Sequence, residues 1–94
     1  MKSYTFTVVL ERNEDAGYTV TVPALKGCVT QGDSISEALS CAKEAIECHI
    51  EGLHLLGKHI PANRKTVKIN AGELSEAMIF KITAEPQFEN TANV

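Results

Sequence analysis

The chain lacks any long apolar run. No stretch approaches the ~18 uninterrupted apolar residues that a membrane-spanning helix needs. The opening Met1-Lys2-Ser3-Tyr4-Thr5-Phe6 alternates polar and apolar residues without an apolar centre, so no signal peptide and no membrane association are expected. Basic residues are scarce too. Nine Lys and Arg stand against twelve Asp and Glu, a net charge of −3. The dense basic face needed to grip nucleic-acid phosphates is therefore missing. A mildly acidic chain suits a basic protein partner better. Cysteines are few and odd in number, three, with no framework spacing. That fits a reducing compartment, and the cytoplasm is the expected setting. Length is short as well. Ninety-four residues and 10.2 kDa hold one domain. A chain of this size buries only about 60–65% of its unfolded surface, so self-association would help stabilise it.

What is present is strongly patterned. Tyr4, Phe6, Val8 and Leu10 alternate with Thr5, Thr7, Val9 and Glu11, the period of a strand with one buried face. The polar run Asn13-Glu14-Asp15-Ala16-Gly17 reads as a hairpin loop. Alternation resumes at Tyr18, Val20 and Val22, and Pro23 ends it for want of a backbone donor. Leu25-Lys26-Gly27 makes a turn, Cys28 to Gln31 a short third strand, and Gly32 closes it. Ser34 with Glu37 three residues on forms a capping box for a helix. Ile35, Ala38, Leu39, Ala42, Ala45, Ile46, Ile50, Leu53 and Leu56 then form one helical stripe, with Glu37, Glu44, Glu47 and Glu51 opposite. Gly57 and Pro61 stop the helix. Thr66–Asn70 alternates and reads as a fourth strand. Ala77–Thr83 is apolar and open between a fifth strand and part of a short helix beginning near Glu73, with strand favoured. Residues 1–84 form the expected domain and 85–94 a flexible tail.

This order gives an α+β fold, β-β-β-α-β. The first three strands pair as an antiparallel meander. The helix crosses over one face and delivers the fourth strand, Thr66–Asn70, beside the first and parallel to it. The opposite face, with Thr5, Thr7, Val9, Thr19 and Thr21, is neither strongly polar nor strongly apolar. A second subunit is expected to cover part of it. Cys41, Cys48 and Leu55, flanking the helix stripe, are further candidates for such an interface.

One ordered string is selective. Tyr18-Thr19-Val20-Thr21-Val22-Pro23, Gly27-Cys28, Thr30-Gln31-Gly32-Asp33-Ser34, Glu37-Ala38-Leu39 and Ala42 to Ile46 follow one another, with Gly57 and Ile60-Pro61 behind them. The chain resembles the HicB family of antitoxins in their small N-terminal domain, from about Tyr4 to about Asn70. The family usually has an acid after the proline, where this chain has Ala24. The resemblance implies a partial RNase H-like fold, oligomerisation, and neutralisation of a HicA-like mRNA-cleaving toxin. The residues after the matched region carry no basic amphipathic helix pair, so no direct nucleic-acid binding is expected of this chain alone. The alternative function is an orphan protein- or small-ligand-binding module on the same scaffold.

Enzymatic chemistry has little to stand on. Two-metal hydrolysis needs converging carboxylates, but Glu11 ends its strand, the helix acids lie on the polar side, and Thr66–Asn70 has none. Cys41 and Cys48 share a helix side about 10 Å apart, too far to share one zinc ion. His49 lies within the apolar stripe, with no nucleophile placed beside it. Catalytic, metal and cofactor residues are therefore assigned to none. The partner-binding candidates are the acids and their neighbours at two places: Glu14, Asp15 and Tyr18 at the hairpin, and Gln31, Asp33 and Glu37 at the helix start. The purified chain is expected to leave RNA and RNA–DNA hybrids intact in magnesium or manganese. Metal-dependent cleavage abolished by mutating Glu11 or Glu44 would contradict this.

Overall fold

The computed structural model describes residues 3–63 and 77–86. Strands β1 (Tyr4–Arg12), β2 (Tyr18–Thr21) and β3 (Val29–Gly32) form the meander, helix α1 (Ile35–Leu55) follows, and β4 (Ala77–Ala84) completes the sheet. The order across it is β3-β2-β1-β4, and every pairing is antiparallel. The sequence reading placed Thr66–Asn70 beside β1 in parallel; that segment lies outside the described residues. The neighbour of β1 is instead the apolar segment that the sequence left open between strand and helix. It pairs along β1 from Tyr4↔Ala84 to Glu11↔Ala77. Antiparallel pairing means β4 begins at the Glu11 end of β1, so the connection from α1 returns the chain to that end. Residues 87–94, most of the expected tail, also lie outside the described residues.

The strand period explains the core. Phe6, Val8 and Leu10 point to one face with Val20 and Ala84, and all five are buried. The helix supplies the other layer with Ala38, Ala42, Ile46 and Ile50, each fully buried. Between β2 and β3 a tight loop closes with Val22 N–H to the Cys28 carbonyl at 3.1 Å and Cys28 N–H to the Leu25 carbonyl at 3.0 Å. It drives Leu25 into the core as a plug, 1% exposed. The stripe does not run as far as the sequence suggested. Leu56 is the C-cap residue and is 71% exposed, because the chain leaves the helix there rather than making another turn over the sheet.

The capping box forms, with one shift. Ser34 Oγ accepts from the Glu37 N–H at 3.0 Å, and Glu37 Oε1 accepts from the Asp33 N–H at 2.5 Å, one residue before the cap. At the other end of β1, where pairing with β2 has stopped, Asn63 stands in for a strand. Its Oδ1 accepts from the Thr7 N–H at 2.7 Å and its Nδ2 donates to Thr7 Oγ1 at 3.1 Å.

Gly32 fixes the distance between sheet and helix. A Cβ there would lie 2.5 Å from the Ala38 nitrogen and 2.6 Å from its Cα, against backbone that cannot swing aside. The helix therefore rests on bare main chain at its first turn. Gly32→Ala should lower stability by about 3 kcal/mol, and Ser34→Ala by about 1 kcal/mol. Both are read as a lower urea midpoint at unchanged slope.

Candidate partner-binding rim

The hairpin loop is built to hold a fixed shape. Asn13 N–H donates to the Gly17 carbonyl at 3.0 Å, and Thr19 Oγ1 donates to Asn13 Oδ1 at 2.7 Å. Gly17 has φ +81°, a conformation side chains disfavour. A Cβ on it would sit 2.8 Å from the Gly32 carbonyl oxygen and 3.5 Å from the Asp33 Cα. The hairpin tip thus packs against the β3–α1 junction. Two acidic places that are separate in sequence become one rim: Glu14 and Asp15 on the loop, Asp33 and Glu37 at the helix start. All four are exposed.

Tyr18 and Gln31 divide between the two faces. Tyr18 pairs with Arg12 and Gly32 and sits half-buried against the core on the helix side. Gln31 pairs with Thr19, so it points to the opposite face and is exposed. The rim therefore gathers five of the six sequence candidates, with Gln31 reached only from the other side. Arg12, exposed and paired with Tyr18, is a member that sequence reasoning passed over. The signal was there, since the alternation from Tyr4 to Leu10 continues to Arg12 and puts it on the helix side.

Among the described residues no three His, Cys, Asp or Glu side chains come together as a metal site. Glu11 pairs with Thr19 and Ala77 on the face away from the helix, so the sheet separates it from the helix acids. No described helix is long and apolar enough to cross a membrane. Burial pushes the Cys28 thiol above its ordinary range, and the nearby Cys48 thiol adds to the effect.

The described residues form an antiparallel sheet covered on one face by one helix, with exposed acids at one end. Comparisons with known proteins give the class. The family model described as the HicB_like antitoxin of bacterial toxin-antitoxin systems matches residues 6–90. A UPF0150 protein of Thermoplasma acidophilum is 46% identical over 70 residues, covering 74% of this chain and 93% of that one. The crystal structure of the N-terminal domain of the Burkholderia pseudomallei antitoxin HicB superposes with TM-score 0.68 at 26% identity, over 86% of this chain and 98% of that one. A toxin–antitoxin complex from Streptococcus pneumoniae contains the same fold, with TM-score 0.77 at 18% identity, over 89% of this chain and 70% of the matched chain. The chain belongs to the HicB-like antitoxin family, whose members are the non-enzymatic component of a toxin–antitoxin pair.

The three thiols should separate cleanly by reactivity. Cys48 is exposed, Cys41 partly covered and Cys28 buried. A thiol reagent should label Cys48 first and Cys28 only on unfolding. Because the fold raises the Cys28 thiol, its contribution to stability is complete below the unfolded value and is lost as pH rises through the folded one. Stability should therefore fall in the alkaline range, and less so in Cys28→Ala after its lower baseline is subtracted.

Proposed function

We propose that this chain neutralises a small RNA-cleaving toxin of the HicA type by covering its RNA-binding surface, and that it does so as a homodimer or higher homo-oligomer. A toxin that holds RNA presents basic groups to phosphates. The observation that carries the reading is the rim. Contact of Gly17 with the Gly32 carbonyl brings Glu14, Asp15, Asp33 and Glu37 to one end of the sheet. Four carboxylates there steer a basic partner and hold its register. Tyr18, half-buried beside them, offers aromatic area of the kind that anchors interfaces. Family membership and the shared fold of a toxin–antitoxin complex support the same reading.

The test is co-expression with the adjacent short reading frame and affinity capture of the pair. Charge reversal of Glu14 and Asp15 together should slow association about tenfold and flatten its dependence on salt. Glu37→Gln keeps hydrogen-bonding capacity at the helix start, and should reproduce part of the effect with little loss of stability. Unchanged affinity and salt dependence in every variant would remove the rim from the interface.

A further inference from the structure

The sheet face turned away from α1 carries a row that crosses all four strands, three aliphatic side chains and one threonine. The register sets Val29 beside Thr21, Thr21 beside Val9, and Val9 beside Ile79. Val9, in the middle, is buried, whereas Val29 and Ile79 at the two ends are 58% and 54% exposed. Large aliphatic side chains left open at both ends of one row mark a surface that gains from being covered.

The charges on this face are arranged about that row. Among the described strand residues that point this way, only Glu11 and Lys81 are charged. Glu11 lies two residues beyond Val9 along β1. Lys81 lies two residues beyond Ile79 along β4, and since β4 is antiparallel it falls on the other side of the row. We infer that two copies of the chain meet here, sheet against sheet, about a two-fold axis lying along the row from Val29 to Ile79. That operation sets row upon row. It also reverses the strand direction, so Glu11 comes over the end of the partner where the partner's Lys81 stands, and the symmetry makes the pair twice. An axis along β1 would instead stack Glu11 on its own copy.

Charge favours a second copy over a basic toxin as the occupant. Among the described strand residues the face has one charge of each sign and no net attraction for a basic protein. Two strands of eight or nine residues and two of four, at about 4.8 Å by 3.3 Å per residue, give a footprint on the order of 400 Å² per copy. Twice that, about 800 Å², is the size of a weak, transient interface. The dimer therefore dissociates on dilution. This inference rests on the self-association proposed above and not on the identity of the toxin.

Sedimentation and light scattering of the full chain over a wide concentration range decide it. The parent chain should show a reversible monomer–dimer equilibrium. Val29→Asp and Ile79→Asp, both at exposed positions, should each leave only monomer. Glu11→Lys and Lys81→Glu should each raise the dimer dissociation constant about tenfold, and the two together should restore it to within about threefold of the parent. The charge swaps keep the test valid should an aspartate variant fail to fold, which circular dichroism reports. A parent chain that is monomeric throughout overturns both the self-association and this interface. A dimer that survives the aspartate variants, or charge swaps that do not rescue each other, overturns the interface alone. If Ile79→Asp leaves the dimer intact but abolishes capture of the co-expressed toxin, the face belongs to the toxin and the inference is overturned.

Discussion

The close approach of two stretches of main chain, Gly32 in the sheet and Ala38 in the helix, is the constraint on which the rest of the molecule hangs. A side chain at Gly32 would meet the Ala38 backbone at 2.5 Å, far inside van der Waals contact. With none there, the first helical turn can sit directly on the end of β3, capped by Ser34. The helix then descends over the apolar face through Ala38, Ala42, Ile46 and Ile50, small residues first and larger ones after, and all four lose their exposure. Close packing of this kind leaves little slack, so a change of one methyl group at the contact is transmitted to the whole layer.

The same contact builds the acidic end of the molecule. The Gly32 carbonyl that ends β3 is also what the Gly17 turn packs against. A loop fixed by Asn13 and Thr19 is thereby held beside the helix start. Recognition groups carried on a braced loop and a capped helix lose little freedom on binding, which lowers the entropic cost of holding a partner. In the proposed antitoxin role such preorganisation serves association.

Having only one helix leaves the sheet with two unlike faces. One is closed by α1 and largely apolar, with Arg12 at its edge. The other mixes threonines with Val9, Val29 and Ile79 and carries the opposed charges of Glu11 and Lys81. Asn63 bonds to both backbone and side chain of Thr7, where β2 no longer pairs. The main-chain donor there is satisfied without a further strand.

Local chemistry made much of this legible in the sequence. The period of two in β1 and β2, the capping box at Ser34, the stripe of α1 and the breaks at Gly17, Pro23 and Gly57 each act over a few residues, and they appear where the pattern put them, save that the stripe stops short of Leu56 and the box reaches back to Asp33. The family string from Tyr18 to Ile46 was legible too. What only the tertiary structure decided was nonlocal. Ala77–Ala84 is apolar in a way that suits helix or strand, and the exposed donors and acceptors of β1 made it a strand and set it antiparallel. Glu14 and Asp33 are 19 positions apart, and nothing in their spacing says they share a rim. Their meeting depends on the room left by the absent side chains of Gly17 and Gly32, a property of two backbones brought together by the fold.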